Sequence, residues 1–454
     1  MSDTIAAIAT APGGPIGIIR VSGDRAIEIV SEIFEPASGI SFREAPHYKL
    51  TYGILRSRAG AVLDSCLAVQ MRAPHSYTGE PMAEIQCHGS SAILSETVSL
   101  LFSKGARQAE PGEFTKRAFL NGKMELTGAE AVQELIAAQT VQAAQNAVAQ
   151  VRGKIGSRVQ DIREKLLHMV AHFHAVVDFP DEEIDHFLFE EAQEILHYAT
   201  GTLYDLAESY ERGRILAEGV PCVILGRPNA GKSSLLNALT GIDRAIVTDC
   251  PGTTRDVIEQ SVRVGPIILR IQDTAGLRDT NDPVEKIGIE KALHQANDAA
   301  LILAVFDGSD VLSDEDLMVI GRSHGRRAIA LINKSDLPQN LELEKIQKHF
   351  DHMIHISAKQ GEGLKTLCDC IPKMIGLDGA VYDGGLITSA RQADALVRAA
   401  ERCEAALFAA QTGMTPDAVV MDAEGAITAL GEVTGQSVTE EVINKIFENF
   451  CVGK

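Results

Sequence analysis

The chain has 454 residues, is 45% hydrophobic and 23% charged, and carries a formal net charge of −20 at pH 7. That is an ordinary soluble composition, long enough for about three domains with cores of their own. The acidity opposes non-specific binding to nucleic acid, so an RNA substrate would need a local basic patch or a partner to hold it.

Eight cysteines, at 66, 87, 222, 250, 368, 370, 403 and 451, form no C-x-x-C pair and no framework spacing. They read as free thiols in a reducing compartment. Met1-Ser2-Asp3-Thr4 lacks a basic leader and no apolar run approaches membrane-span length, so the expectation is a cytoplasmic protein with no membrane partner. Arg56 with Arg58, Lys116-Arg117 with Lys123, and Arg152, Lys154 and Arg158 are the candidate basic patches, each read as solvated surface.

Residues 1 to about 120 read as mixed α/β. Strand-like runs at Ile5 to Thr10 and Ile16 to Val21 flank a Pro12-Gly13-Gly14-Pro15 turn, with further strands at Tyr48 to Leu55 and Ala61 to Met71. Ala92 to Phe102 reads as a helix. Ser76 to Glu80, Gln86 to Gly89 and Pro111 to Thr115 read as polar punctuation. From Thr127-Gly128-Ala129-Glu130, a capping-box pattern, Ala- and Gln-rich helix runs to about 177. Pro180 interrupts it, and helix resumes to about 212. His168 and His172 stand one helical turn apart, but no third ligand accompanies them, so they read as packed or solvated histidines.

Residues 220 to about 375 return to α/β, and 385 to 454 to Ala-rich helix, with starts at Thr415-Pro416 and Thr439. Helical segments thus flank the α/β segment, as when one domain is inserted into another. Gly226-Arg227-Pro228-Asn229-Ala230-Gly231-Lys232-Ser233-Ser234 follows the apolar run Val223-Ile224-Leu225 and opens an apolar helix, the context a P-loop needs. The glycines free backbone N–H groups to wrap a phosphate at a helix N-terminus. Lys232 supplies charge for the β- and γ-phosphates, and Ser233 a hydroxyl for Mg²⁺.

Further elements follow in GTPase order. Gly252-Thr253-Thr254-Arg255-Asp256 is a switch segment whose threonine can reach Mg²⁺. Asp273-Thr274-Ala275-Gly276 follows the strand Ile267 to Ile271, bringing an aspartate towards the metal and a glycine N–H towards the γ-phosphate. Asn333-Lys334-Ser335-Asp336 follows the strand Ala328 to Ile332 and offers a carboxylate for the two N–H groups of guanine, and Ser357-Ala358-Lys359 backs the base. The nucleotide is therefore GTP. Leu277 stands where Ras-like enzymes carry the glutamine that orients the attacking water. Glu285, Asp279 and Asp282 are the nearby acids that could replace it.

These motifs, with Ile287-Gly288-Ile289-Glu290, Phe179 to Asp185 and the terminal Phe450-Cys451-Val452-Gly453-Lys454, resemble the tRNA-modification GTPase family (MnmE, also called TrmE) over the whole chain. The resemblance implies an α/β plus all-α fold. A tetrahydrofolate-binding and dimerisation domain would occupy residues 1–120, a helical domain 121–215 and 379–454, and an inserted Ras-like G domain with a doubly wound sheet 216–378.

The activity so implied is a potassium-activated GTPase working as a homodimer with an FAD-containing partner (MnmG, also called GidA). Together they add an aminomethyl or carboxymethylaminomethyl group to C5 of the wobble uridine of certain tRNAs. The one-carbon unit would come from 5,10-methylenetetrahydrofolate, or a 5-formyltetrahydrofolate-like folate would bind.

Implied nucleotide contacts are Asn229, Ala230, Gly231, Lys232, Ser233 and Ser234; Thr248, Asp249, Cys250, Pro251, Gly252, Thr253 and Thr254; Asp273, Thr274, Ala275 and Gly276; Asn333, Lys334 and Asp336; and Ser357, Ala358 and Lys359. Ser233 and Thr254 would hold Mg²⁺. Asn229 with the backbone carbonyls of Thr248, Cys250 and Thr253 would cage K⁺ in place of an arginine finger. Glu285, Lys232 and Cys451 would be catalytic. Arg20, Glu84, Lys123 and Lys454 would bind folate, cations meeting its glutamate tail and a carboxylate the pterin N–H edge.

Cys87 departs from the family pattern where glycine is expected, and Pro251 stands where a small residue is usual. The rival expectation, from the G domain alone, is a ribosome-assembly or RNA-binding GTPase switch, which would want a basic RNA-binding module.

Overall fold

A computed structural model of the chain describes residues 3–178, 186–242, 259–272, 299–377 and 384–453. They fall into two compact units, one from residues 1–133, 150–201 and 395–454, the other from 134–149 and 202–394.

The first unit contains β1 (Ile5–Ile8), β2 (Ile16–Ser22), β3 (Phe34–Pro36), β4 (Thr51–Arg56), β5 (Val62–Met71), β6 (Met82–His88) and β7 (Arg107–Gln108). They pair in the order β3-β4-β5-β6-β2-β1-β7, antiparallel except for the β1–β7 edge. The strands expected at the start of β1 and β2 and along β4 and β5 form with shifted ends. The Gln86 to His88 stretch, read as punctuation, instead closes β6, which joins β5 to β2 in the middle of the sheet. Its alternation was legible: Ala83, Ile85 and Cys87 are buried while Glu84 and Gln86 are half-buried. The Pro111 to Thr115 punctuation likewise runs into a helix, Glu113–Leu120, entered through Gly112 in the left-handed region at φ 64°.

One sheet face packs Ile19, Val21, Ala83 and Ile85 under the helices Ala26–Ser31 and Ser91–Ser103. The other carries a smaller cluster of Ile5, Ala7, Val69, Met82 and Phe114. Lys154–Asp178 packs along Pro416–Thr434. The C-terminal helix Glu440–Glu448 buries Ile443 and Phe447 against Leu126 and Ala129.

The helix expected to be capped by Thr127 starts at Leu126, so Thr127 is a fully buried first-turn residue and no cap. Helix ends commonly shift by a residue or two, and here burial of Leu126 and Ala129 decides. Thr415 and Thr439 do hold N-cap positions in extended geometry, although neither hydroxyl makes a capping bond. His168 and His172 are both exposed. Arg117 is not solvated surface but a buried member of an ion-pair network.

Among the described residues the second unit has six strands: β8 (Val220–Leu225), β9 (Glu259–Val264), β10 (Ile267–Gln272), β11 (Leu301–Asp307), β12 (Ala328–Asn333) and β13 (His352–His355). Their order is β13-β12-β11-β8-β10-β9, all parallel except the β9–β10 hairpin. Both faces are covered, as parallel strands require. Cys222 and Ile224 pack with Leu235, Leu239 and Leu367 on one side, and Val223 and Leu225 with Ile320, Ile346 and Phe350 on the other. The chain runs out from central β8 to one edge, then returns to β11 on β8's other side. Such a reversal leaves a crevice at the carboxyl ends of the strands, where open α/β sheets bind ligands.

Candidate functional site

At that crevice β8 ends, and residues 226–231 turn into the helix Lys232–Ile242. Asn229 and Gly231 adopt φ 64° and 99°, curling the loop. The Lys232 ammonium reaches back across it, donating to the carbonyls of Gly226 at 2.9 Å and Arg227 at 2.8 Å. A Cβ at Gly231 would collide with the Asn333 amide, so only glycine fits this close approach.

Asn333, 3% exposed at the end of β12, ties the phosphate loop to the base loops. Its Nδ2 donates to Ala230 O at 2.8 Å and its Oδ1 accepts from Ala358 N at 3.0 Å. The next residue, Lys334, sits at φ 62° and donates to Asp307 Oδ2 at 2.6 Å. Burial pushes the Asp307 carboxyl upward, but hydrogen bonds from Lys334 and Ser309 outweigh it and hold the group below its ordinary value. Asp336 is exposed, and the buried Ser357 hydroxyl donates to its Oδ1 at 2.7 Å, fixing the carboxylate's direction.

Among the described residues the non-glycine residues at positive φ are Tyr48, Asn229 and Lys334. Two of these three stand at this crevice, the clustering expected where backbone strain serves a binding site. The structure therefore brings together Asn229 to Ser234, Asn333, Lys334, Asp336 and Ser357 to Lys359. Thr248 to Arg255, Asp273 to Leu277, Asp279, Asp282 and Glu285 lie outside the described residues, as do Phe179 to Asp185 and Lys454.

Sequence reasoning missed the charges gathered around Arg227. Arg227 Nη2 donates to Asp310 Oδ2 at 2.9 Å, and its guanidinium lies 3.8 Å from Asp307 and 3.6 Å from Asp316. An aspartate ending the apolar run of β11 was the available signal.

In the first unit, Arg20 and Glu84 are direct cross-strand partners on β2 and β6, joined at 2.9 Å between Nε and Oε1. The Arg20 guanidinium lies 5.5 Å from the Tyr77 ring centre and 5.6 Å from that of Phe114. Ser22 donates to Glu80 at 2.9 Å, and Arg117 holds Glu80, Glu113 and Asp3. The Lys123 stem passes over Gly79, and its ammonium donates to Pro74 O at 3.1 Å. Cys451 is exposed; its carbonyl accepts from Gly112 N at 3.3 Å, and Val452 bridges Pro111. Gly453, at φ 96°, lies so close on the Ile8 carbonyl that a Cβ would clash. The seven cysteines among the described residues are all unpaired. No helix among those residues is long and apolar enough to cross a membrane.

A doubly wound sheet, a phosphate-wrapping loop with its lysine, and a carboxylate poised beside a base-backing turn define a P-loop GTPase. Residues 4–123 match the family described as GTP-binding protein TrmE N-terminus, and residues 126–451 the MnmE helical domain. The tRNA modification GTPase MnmE of Clostridioides difficile is 44% identical over 462 residues, and that of Heliobacterium modesticaldum 43% over 465, each match covering both chains fully. The G domain of the Thermotoga maritima FeoB iron transporter is similar at 26% identity over 34% of this chain and 98% of its own, with a TM-score of only 0.26. The chain belongs to the MnmE family of tRNA modification GTPases.

Proposed function

We propose that this chain hydrolyses GTP to drive modification of C5 of the tRNA wobble uridine, adding an aminomethyl-type group with an FAD-containing partner and a folate-borne one-carbon unit. The observation that carries the GTPase half is Asn333, whose two hydrogen bonds hold the phosphate loop and the base-backing turn in one frame. Lys232 would meet the β- and γ-phosphates, and Asp336 the guanine N–H edge.

Ser233, at the start of the P-loop helix, and Thr254 would hold the Mg²⁺ that neutralises phosphate charge. The exposed side-chain amide of Asn229, within the phosphate loop, would suit a monovalent cation, completed by carbonyls of Thr248, Cys250 and Thr253. Wild-type hydrolysis would then run faster in potassium than in sodium, and Asn229→Ala would lose most of that advantage. Glu285 would position the attacking water.

The paired Arg20 and Glu84, with Lys123 beside Gly79, supports folate binding in the first unit. These groups supply a cation and a carboxylate on one sheet face and two aromatic rings around the cation. Lys454 would add a second cation, and Cys451 a thiol on a tail tethered to the turn before Phe114. The protein would act in the cytoplasm as a homodimer, with folate, helical and G domains at 1–120, 121–215 with 379–454, and 216–378.

A ribosome-assembly switch fits the same G domain, but the net charge of −20 leaves it without an obvious RNA-binding module. Nucleoside mass spectrometry of tRNA from cells lacking the protein separates the two. Loss of the wobble-uridine adduct is expected, and unchanged wobble uridines with defective ribosomal subunits would favour the switch.

A further inference from the structure

We infer that Arg227, the second residue of the phosphate loop, is a positioning residue for guanine recognition that acts through Asp307 on Lys334. The inference rests on residues 333–336 being the guanine-reading loop.

Asp307 is a junction. Its Oδ1 is occupied by Ser309, which donates from the backbone N at 3.0 Å and the hydroxyl at 2.7 Å. Its Oδ2 faces two cations from different loops, Lys334 Nζ at 2.6 Å and Arg227 Nη2 at 3.8 Å. Asp307 is only 7% exposed, so water screens these charges weakly.

Arg227 is itself held from two further sides. Asp310 accepts from it at 2.9 Å, and Asp316 lies 3.6 Å from its Nε. Asp316 is 1% exposed and cannot swing away, because it closes a capping box with Ser313. Arg227 therefore separates three carboxylates that would otherwise repel one another around the anchor of Lys334. Its own carbonyl meanwhile accepts from Lys232 at 2.8 Å. One residue thus touches the phosphate lysine through its backbone and the base-loop lysine through its side chain and Asp307.

Lys334 needs such an anchor. Its backbone is left-handed, its carbonyl accepts from Gln339 Nε2 at 3.0 Å, and its ammonium is pulled to Asp307. The four-carbon stem runs between these points, an apolar rail two residues before Asp336 on which a planar base can lie. Without Arg227, Asp307 turns towards whichever cation or water relieves its neighbours, and the rail loosens. Base contacts are alike in the ground and transition states, so the cost falls on binding and spares the chemical step.

The test uses the full-length protein, with GTP dissociation constants and single-turnover hydrolysis measured separately. Arg227→Gln should weaken GTP binding roughly five- to twentyfold while the single-turnover rate changes less than about twofold, and Arg227→Lys should recover part of the loss. In a Lys334→Ala background the same Arg227→Gln change should alter affinity less than about twofold, because the relay has lost its end. Asp307→Asn, with Arg227 intact, should reproduce the loss, which guards against a simple folding defect at position 227. Wild-type affinity in Arg227→Gln, or the same loss with and without Lys334, would overturn the relay. If the wild-type protein bound ATP as tightly as GTP, the guanine reading itself would fall first.

Discussion

The two units build their polar sites by opposite means. At the phosphate loop the geometry is mostly backbone. Left-handed turns at Asn229, Gly231 and Lys334 and one asparagine side chain set the shape of the crevice proposed to take the nucleotide. In the first unit the geometry is mostly charge: Arg20 with Glu84 across two strands, and Arg117 with Asp3 and Glu80 from other segments and with Glu113 one turn back on its own helix. A backbone site survives many side-chain changes but fails when a loop moves. A charge-built site fails when one partner is removed, because a buried ion is then left unpaired.

The largest expected effect breaks the charge-built site. Arg117 is 9% exposed, and Arg117→Met takes from Glu80 its cationic partner and leaves Glu113 to Arg107, at a cost near the lower end of about 3–5 kcal/mol. Hydrogen exchange should show faster opening of β1 and of the helix Glu113–Leu120, with GTP affinity unchanged. Unaltered protection in both elements would mean the network is ornamental.

Somewhat smaller is the loss from Lys232→Ala, which removes a preorganised charge from the phosphate loop. Hydrolysis should fall about 10²–10³-fold, the range for losing one such donor. The thermal unfolding of the first unit should not move. Hydrolysis within tenfold of wild type would reassign Lys232 to a loop-bracing role, consistent with its two carbonyl bonds.

Asn333→Ala tests the backbone-built site on its own terms. It strips partners from Ala230 O and Ala358 N, and each buried group left unmet costs about 1–3 kcal/mol. GTP binding and hydrolysis should both drop, since the phosphate loop and the base turn separate. Loss of guanine preference with intact phosphate affinity would show that only the base side depends on it.

The smallest effect is acid sensitivity. Burial pushes the Asp3 and Glu113 carboxyls upward, but hydrogen bonds from Arg107 and Arg117 outweigh it and hold both below their ordinary values of 3.8 and 4.5. Folded values below unfolded ones mean that the stability these groups lend is complete above the ordinary values. It is lost as pH falls through the folded ones. Between about pH 6 and pH 3 the urea midpoint of the first unit should drop less in Asp3→Asn than in wild type, although the variant starts lower. Parallel midpoint losses would remove Asp3 from the acid response. Because Asp3 is half exposed, the difference should be modest.

The same contrast explains what could be read in advance. Motifs at the nucleotide site are contiguous in sequence because turn geometry is local. A glycine, an asparagine and a lysine a few residues apart already dictate the curl of the loop and the direction of its N–H groups. The apolar runs of β8, β11 and β12 are likewise local, since strands buried on both faces need uninterrupted apolar residues. By itself, then, the amino-acid order determined the P-loop fold of the second unit, the loop proposed to read guanine, and the family. Only the tertiary structure decided that β6 lies between β5 and β2, that Arg20 pairs with Glu84, and that Arg117 turns inward. It alone brought Arg227 to Asp307 and the C-terminal tail onto Pro111 and Ile8. Those contacts join residues far apart along the chain. Their strength comes from desolvation and charge pairing, which exist only after folding has brought the partners together.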